Sequence, residues 1–307
     1  MNEIMKNIIK QAVSGPLSKN MAVSAFNEIM SGKASESQIA GFLIALKMRG
    51  ETVEEITAAA KVMLSKCATV KAPAEAIDIV GTGGDGKGTF NISTATALVV
   101  ASTGLVVAKH GNKNISSKSG AADVLKELGV ELAVTPAVVE RCIERARIGF
   151  MLAPTHHPAV RHVMPTRQSL GIRTIFNILG PLTNPANVKY HLIGAYDKNL
   201  LEPMGKALKE LGSKRAWLVH GDDGTDEISI SGKTNVVELK NDELSAFEIN
   251  PKDAGLPVHP IEAILGGSPK ENAKVLKELI AGKRTAYRDS VLFNAAAALV
   301  ITKKAKN

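Results

Sequence analysis

The sequence has few aromatic residues, only two cysteines and no long apolar run. Phe, Trp and Tyr make up 4% of the 307 residues, so an aromatic platform for stacking nucleic-acid bases is not expected. Cys67 and Cys142 are far apart in the chain, which favours structural thiols over a disulfide or a metal pair. No apolar run reaches membrane-spanning length, and residues 1–10 lack the apolar core of a signal peptide. We therefore expect a cytoplasmic protein that makes no use of a membrane.

The chain also lacks a dense basic tract, although its formal net charge is +8. The basic residues are spread along the sequence, apart from a short group at residues 303–306. A small polyanionic substrate would explain this charge about as well as a nucleic acid. With 45% hydrophobic and 22% charged residues, the composition is typical of a soluble globular enzyme. We expect no nucleic-acid partner.

Residues 1–72 are predicted to form a small all-helical domain. Residues 35–38 and 52–55 are capping-box patterns, in which a hydroxyl residue precedes Gln or Glu by three positions. The segment 39–46 is apolar nearly all round, so its helix should be buried on several sides. Such a surface favours a homodimer, and the alternative is packing against the larger domain of the same chain. Residues 71–73 form a plausible linker.

Residues 73–307 alternate short strands and helices, which predicts a large α/β domain with a central, mostly parallel sheet flanked by helices. The last two strands have no helix between them, which favours an antiparallel edge. Predicted strands are residues 77–80, 105–108, 150–152, 191–194, 216–219, 236–239 and 246–249. Predicted helices are residues 95–102, 121–128, 136–146, 200–211, 270–280 and 290–302.

The first chemical motif is a glycine-rich segment, residues 81–94, with the sequence GTGGDGKGTFNIST. It lies between a predicted strand and a predicted helix. Glycines let backbone N–H groups approach an anion, and a helix N-terminus adds unpaired N–H groups. The spacing matches neither a P-loop nor a dinucleotide-binding fingerprint. The motif therefore predicts a phosphate-binding loop that could also contact a sugar and a metal ion.

The second motif, residues 109–120 (KHGNKNISSKSG), follows the next predicted strand. Ligands of open α/β sheets bind at the carboxyl ends of strands, so the two motifs should lie together if their strands are neighbours. Lysines, serines and glycines suit a polyphosphate. A polar surface loop is the alternative interpretation for either motif alone.

An acidic segment, residues 222–227 (DDGTDE), follows a later predicted strand. Adjacent carboxylates at a strand end can bind Mg²⁺, which takes oxygen ligands and keeps several waters. Acidic turns are common, and the metal interpretation is favoured only because the phosphate motifs accompany it.

The segment 156–185 contains three histidines and three arginines. The histidine spacing matches no zinc signature, and no cysteine is near, so a zinc site is not expected. A guanidinium binds a carboxylate through two parallel hydrogen bonds, which suits recognition of a small acid. We interpret Arg161 and Arg173 as surface or structural residues.

Taken together, these motifs make the chain resemble the anthranilate phosphoribosyltransferases. The matching segments are residues 81–85, 91–94, 109–112, 116–120, 173–185 and 226–227, in family order over nearly the whole chain. The resemblance implies a homodimer in which a helical domain joins an α/β domain, and residues of about 167–185 pack with the helical domain. It implies transfer of the phosphoribosyl group from phosphoribosyl pyrophosphate to anthranilate in tryptophan biosynthesis.

The resemblance also assigns site residues. Anthranilate would be bound by Gly81, Asn112 and Arg167, the last through the carboxylate. Ser93, Asp226 and Glu227 would serve Mg²⁺, with two ions per active site. The residues implied to contact phosphoribosyl pyrophosphate are Gly81, Gly84, Asp85, Thr89, Asn91, Ile92, Ser93, Thr94, Lys109, His110, Gly111, Asn112, Ser117 and Ala121.

The sequence departs from the family pattern in three places. Ala121 stands where many members have serine, although its backbone N–H could still serve. Residues 113–114 are Lys-Asn rather than Arg-Ala or Arg-Ser. The sequence ends at Asn307, where the family continues with further helical sequence, so we expect a missing core helix and reduced stability or activity.

Two other functions remain open from the sequence. Pyrimidine nucleoside phosphorylases share single motifs, but the acidic pair 226–227 and the segment 177–185 disfavour them. Some relatives have lost activity and bind nucleic acid, which the intact Asp85, Ser93, Arg167 and Asp226 argue against.

Overall fold

The computed structural model describes residues 2–113 and 119–306. Its first four helices form a bundle in which α1 packs against α3 and α2 packs against α4. Each of the four begins at a polar residue whose side chain accepts a hydrogen bond from the first turn. Both predicted capping boxes are present, at Ser35 and Thr52. The four helices are α1 (Glu3–Ser14), α2 (Lys19–Met30), α3 (Glu36–Arg49) and α4 (Val53–Ser65).

In the described part of the chain, the remaining residues build a seven-stranded sheet with the order β3-β2-β1-β4-β5-β6-β7. Strands β1 to β5 are parallel, and β6 and β7 are antiparallel to their neighbours. The predicted fold class and the antiparallel edge are therefore confirmed. The strands are β1 (Ile77–Gly81), β2 (Val107–Gly111), β3 (Ile148–Leu152), β4 (Tyr190–Gly194), β5 (Arg215–Gly221), β6 (Thr234–Lys240) and β7 (Glu243–Ile249).

Helices cover both faces of the sheet. On one face of the sheet, α5 and α13 pack against each other. On the other face, α11 lies between the sheet and α4. Further 3₁₀ turns occur at Pro158–His162, Lys198–Leu200, Pro251–Ala254 and Ile261–Ile264. The helices are α5 (Ile92–Ser102), α6 (Ala121–Glu127), α7 (Pro136–Ala146), α8 (Ala153–His156), α9 (Met164–Leu170), α10 (Ile175–Leu182), α11 (Leu201–Glu210), α12 (Pro269–Ile280) and α13 (Ala286–Ile301).

The alternation of side chains along the strands divides the apolar core between the two faces. On β5, Leu218 points to the face shared with the helical bundle, whereas Val219 points to the α5 and α13 face. The bundle core continues through α10 to the sheet, and Phe176 on α10 meets Phe26 of α2 edge-to-face with ring centroids 6.1 Å apart. This packing fixes α9 and α10, which border the cleft described below, against the bundle.

Several predicted boundaries differ from the structure by two to four residues, and two of them lie at the site. Strand β2 runs to Gly111 instead of ending at residue 108, so Lys109 and His110 belong to the strand and not to a loop. Helix α5 begins at Ile92, three residues before the predicted start. The short helices α8, α9 and α10 were not predicted. None of the helices in the described residues is long and apolar enough to cross a membrane.

Candidate active site

A cleft of about 780 Å³ opens at the carboxyl ends of the central strands. Strand β1 pairs with β2 on one side and β4 on the other, so the chain order reverses there, as at ligand sites of other open α/β sheets. Ser117 lies outside the described residues. The other predicted site residues all line this cleft: Gly81, Gly84, Asp85, Thr89, Asn91, Ile92, Ser93, Thr94, Lys109, His110, Gly111, Asn112, Ala121, Arg167, Asp226 and Glu227. Their contacts with substrate stay predictions.

The glycine loop, residues 81–91, takes a conformation that needs glycine. Gly83 and Gly84 have φ angles of 67° and 72°, a region that other L residues rarely adopt. The loop leads directly into the first turn of α5, which carries Ser93 and Thr94. The buried hydroxyl of Thr94 has no hydrogen-bond partner in residues 2–113 and 119–306. The backbone of the glycine loop, a helix N-terminus and Thr94 thus line one cleft, which suits a phosphate.

The acidic pair, Asp226 and Glu227, lines the cleft beside the glycine loop. Asp226 accepts a hydrogen bond from the N–H of Gly83 at 2.7 Å, and Glu227 accepts one from the N–H of Ser93 at 3.1 Å. Burial, followed by the charges of Asp85 and Glu227, raises the pKa of Asp226 well above its usual value. Burial also raises the pKa of Glu227, to about 7, against the opposing effect of Lys109. Three carboxylates are therefore crowded where negative charge is costly.

This crowding fits a divalent cation. In the residues that the structure describes, no group of three or more His, Cys, Asp or Glu forms a metal site by itself. Mg²⁺, however, is usually bound through one or two carboxylates together with waters and substrate phosphates. Asp226, Glu227 and the hydroxyl of Ser93 lie together beside the phosphate loop. A cation here would offset the burial and the charge repulsion that raise the pKa of both carboxyl groups.

Lys109 is a buried cation between the two strands that carry the loops. Its ammonium group donates to the backbone carbonyl of Ile79 and lies 3.4 Å from Oγ of Ser93. Burial lowers the pKa of Lys109, and the carboxylates of Asp78 and Glu227 counteract this effect. Because the Lys109 ammonium group has these partners, it can be buried in a strand, and β2 continues through the polar residues Lys109 and His110.

His110 has both ring nitrogens engaged. Nδ1 lies 2.5 Å from the carboxylate of Asp78, and Nε2 lies 2.6 Å from the carbonyl oxygen of Gly180 on α10. Asn184 also donates to Asp78, at 2.7 Å. Burial by itself would raise the pKa of Asp78, but His110 and its neighbours hold it below the usual value. His110 therefore joins β1, β2 and α10.

Arg167, on α9, is a partly buried cation without an acidic partner among the described residues. Its guanidinium contacts Sδ of Met164 at 3.8 Å and lies over the ring of Phe176, 5.5 Å from the centroid. Burial lowers the pKa of Arg167. An aromatic ring and a thioether do not satisfy five N–H donors, so the side chain can bind a carboxylate in the cleft.

Arg173, interpreted from the sequence as a surface or structural residue, is exposed. It lies in the connection between α9 and α10 and lines the cleft. Its guanidinium donates to the carbonyl oxygen of Gly84 and stacks on the ring of Tyr196, 4.2 Å from the centroid. It therefore contacts the glycine loop directly. Gln168 and Asn177 also line the cleft and were missed, since polar residues on short helices give no periodic signal.

The structure describes the two ends of the second loop, residues 109–113 and 119–120. The side chain of Asn112 accepts a hydrogen bond from the N–H of Lys113 at 2.8 Å. Ala121 begins α6, so its N–H is one of the first N–H groups of the helix, which have no acceptor within the helix itself. Asn91 donates to the carbonyl oxygen of Ser119 at 3.1 Å and so joins this loop to the glycine loop.

Comparisons with known proteins agree with this architecture. The "Glycosyl transferase family, helical bundle domain" matches residues 2–67, and the "Glycosyl transferase family, a/b domain" matches residues 73–307. An anthranilate phosphoribosyltransferase from Rhodopseudomonas palustris is 53% identical over 300 residues, which cover 98% of this chain and 89% of the relative.

Solved structures agree as well. The anthranilate phosphoribosyltransferase of Thermus thermophilus superposes with a TM-score of 0.93 at 40% identity, covering 98% of this chain and 90% of that one. The enzyme from Saccharomyces cerevisiae, in complex with phosphoribosyl pyrophosphate and Mg, has a TM-score of 0.90 at 32% identity and covers 99% and 90%. With both family domains matched and this identity over nearly the whole chain, the chain belongs to the anthranilate phosphoribosyltransferase family.

Proposed function

We propose that the protein transfers the 5-phosphoribosyl group of phosphoribosyl pyrophosphate to the amine of anthranilate and releases pyrophosphate, a step of tryptophan biosynthesis. One observation carries the proposal. A single cleft combines a phosphate-binding loop and an acidic pair with Arg167, a partly buried cation that has no carboxylate partner in the described residues. The first two features suit a pyrophosphate with its metal, and the third suits the carboxylate of anthranilate.

In the reaction, the bond between C1 of the ribose and the pyrophosphate oxygen breaks, and a bond from C1 to the anthranilate nitrogen forms. Further N–H groups of the glycine loop and the ammonium group of Lys109 would stabilise negative charge on the departing pyrophosphate. Arg167 would hold anthranilate by its carboxylate, so that the amine faces C1. Positioning and electrostatic stabilisation would then supply most of the rate enhancement.

The amine proton need not be removed early. A ribose centre that loses its leaving group develops positive charge, so a weakly basic arylamine can attack it and release its proton afterwards. Nδ1 and Nε2 of His110 are both hydrogen bonded, which supports a positioning role for this ring. We assign no residue as a general acid or base.

Ser93, Asp226 and Glu227 would hold Mg²⁺, which when bound neutralises charge on the pyrophosphate. The structure of the Saccharomyces cerevisiae relative in complex with phosphoribosyl pyrophosphate and Mg supports the use of Mg²⁺. Two ions per active site is the finer proposal. Titration with Mn²⁺ in the presence of phosphoribosyl pyrophosphate, followed by electron paramagnetic resonance, should give two sites per chain, and one site would refute it.

A homodimer through the helical bundle is also proposed. Ile4 and Val13 on α1 and Met48 on α3 are exposed apolar residues of two helices that pack together, which favours an interface. Sedimentation velocity should give twice the chain mass, and a monomer at micromolar concentration would contradict the proposal. The cytoplasmic location remains a prediction.

The decisive measurement is loss of anthranilate fluorescence in the presence of phosphoribosyl pyrophosphate and Mg²⁺. We expect turnover by the wild-type protein, and Arg167→Ala should raise the KM for anthranilate roughly ten- to a hundredfold, because a charge-assisted pair is lost. Arg161→Ala is the matched control, since Arg161 is exposed on the preceding turn. An unchanged anthranilate KM in Arg167→Ala would remove Arg167 from the site. Phosphorolysis of a pyrimidine nucleoside in place of anthranilate turnover would overturn the function.

A further inference from the structure

Asn272 is an almost fully buried amide on α12, with 3% of its surface exposed. It lies on the side of the helix that buries Ala273 and Leu276. Asparagine is a poor helix former, and a buried amide is costly unless it is hydrogen bonded. The hydrogen bonds of Asn272 therefore define what this residue does. They lead to the glycine loop.

The amide group of Asn272 has a defined orientation. Its Oδ1 accepts a hydrogen bond from the backbone N–H of Gly267 at 2.8 Å. Because a backbone N–H can only donate, the oxygen must face Gly267, and the NH₂ group must face the other way. There it donates to Oδ1 of Asn91 at 2.9 Å. The orientation of Asn272 thus determines which atom Asn91 turns towards it.

The orientation of Asn91 follows from the same rule. With its oxygen towards Asn272, Asn91 directs its NH₂ group to the carbonyl oxygen of Ser119 at 3.1 Å and towards the cleft. A carbonyl oxygen can only accept, so the contact with Ser119 requires the same orientation of the Asn91 amide as the contact with Asn272. One N–H of Asn91 joins the second loop, and the other has no acceptor within residues 2–113 and 119–306, so it can serve an anion in the cleft.

The backbone around this contact is held in place. The N–H of Phe90 donates to the carbonyl of Ile264 at 2.9 Å, and the N–H of Gly266 donates to the carbonyl of Gly88 at 2.8 Å. The hydroxyl of Tyr287 on α13 donates to the carbonyl oxygen of Asn91 at 3.2 Å. These contacts hold Asn91 and Asn272 within hydrogen-bond distance of each other, although they are 181 positions apart in the chain.

We infer that Asn272 is a positioning residue for phosphoribosyl pyrophosphate: it orients Asn91 so that an N–H group, and not the amide oxygen, faces the anionic substrate. The inference rests on the proposed function, which places a polyanion in the cleft. An oxygen in the same place would repel a phosphoryl group. The position of Asn272 thus affects a substrate that it does not touch.

The variant Asn272→Asp tests this inference with almost no change in shape. The new carboxylate can still accept from Gly267, but it presents an oxygen to Oδ1 of Asn91, so the preferred orientation of Asn91 is lost. We expect the KM for phosphoribosyl pyrophosphate to rise roughly ten- to a hundredfold, the effect of losing a hydrogen bond to a charged group. The KM for anthranilate should change by less than about twofold. Asn272→Ala, which removes the donor without adding an acceptor, should fall between the wild type and Asn272→Asp.

A double-variant comparison separates this role from a structural one. If Asn272→Asp acts through Asn91, it should add little to the effect of Asn91→Ala, measured by calorimetric titration of phosphoribosyl pyrophosphate with Mg²⁺. An effect that persists in full in the Asn91→Ala background would overturn the inference. So would parallel increases in both KM values, which indicate a general loss of structure. If Asn272→Asp does not fold, Asn272→Ala carries the same comparison.

The inference and the proposed function can fail separately. Wild-type turnover with an unchanged KM for phosphoribosyl pyrophosphate in Asn272→Asp would refute the inference and leave the function intact. Binding of phosphoribosyl pyrophosphate that weakens in Asn272→Asp, without turnover of anthranilate by the wild type, would refute the function and support the inference. A wild-type protein that does not bind phosphoribosyl pyrophosphate would refute both.

Discussion

Two glycines that end neighbouring strands make room for Asp226. Gly81 on β1 and Gly194 on β4 are paired in register. A Cβ atom at Gly194 would collide with the backbone carbonyl of Asp226, and one at Gly81 would collide with its carboxylate. The acidic pair can therefore approach the glycine loop only because both strands end without a side chain. Gly194 does not line the cleft, but its lack of a side chain admits Asp226.

Gly194→Ala should consequently displace Asp226 and weaken Mg²⁺-dependent catalysis. We expect a loss of kcat of at least about tenfold, partly restored by high Mg²⁺, together with destabilisation of roughly 1–3 kcal/mol from overpacking. The control is Gly232→Ala, because a Cβ there meets no atom within 4 Å. Activity and Mg²⁺ dependence equal to those of the control would show that Asp226 tolerates the displacement.

The start of α4 is more than a helix cap. The carboxylate of Glu55 accepts a hydrogen bond from the N–H of Thr52 at 2.9 Å, which completes the capping box. It also accepts from the N–H of Leu17 at 2.9 Å and from the guanidinium of Arg49 at 2.7 Å. One buried side chain thus joins the start of α4 to the end of α3 and to the segment that precedes α2.

Removing this carboxylate should destabilise the helical bundle. Glu55→Ala leaves two backbone N–H groups and a partly buried guanidinium without their carboxylate partner, which should lower the free energy of unfolding by about 2–4 kcal/mol. Urea denaturation measures this change. Glu54→Ala, an exposed position in the same turn, should change stability by less than about 0.5 kcal/mol. Equal effects of the two substitutions would mean that the hydrogen bonds of Glu55 add no stability beyond that of an exposed glutamate.

Two histidines buried in an uncharged form make the whole molecule sensitive to acid. His191 on β4 lies 3.0 Å from the hydroxyl of Ser213, and His157 lies 2.8 Å from the carbonyl oxygen of Thr183. Burial lowers the pKa of each from 6.5 to about 4. The unfolded chain therefore binds these protons at a higher pH than the folded protein does. Stability is present in full above pH 6.5 and is lost as the pH falls towards 4.

Each of these histidines should contribute up to about 3 kcal/mol to the loss of stability over this pH range. His191→Gln should flatten the dependence of the free energy of unfolding on pH between 6.5 and 4, even if it lowers stability at every pH. The measurement is urea denaturation at several pH values, with His162→Gln, at a partly exposed position, as the control. A pH dependence as steep as that of the wild type would contradict a neutral buried His191.

Much of the site could be predicted from the sequence because its signals are local. The glycine loop is recognisable by its five glycines between an apolar strand and a helix. The acidic pair 226–227 is placed by the strand before it, and the capping boxes at Ser35 and Thr52 need only four consecutive residues. Alternating strand and helix patterns were sufficient to predict the parallel sheet and its antiparallel edge. Such features depend on periodicity and on neighbours in the chain.

Other features depend on contacts between distant segments, and only the folded chain supplies these. Strand β2 continues through Lys109 because the carbonyl of Ile79 accepts from its ammonium group, a partner that the polar sequence does not reveal. Arg173 enters the site because the connection between α9 and α10 brings it onto Gly84. Asn272 reaches Asn91 from α12. Local patterns determine the elements and the type of chemistry, whereas the orientation of each polar group depends on donors and acceptors that folding brings within hydrogen-bond distance.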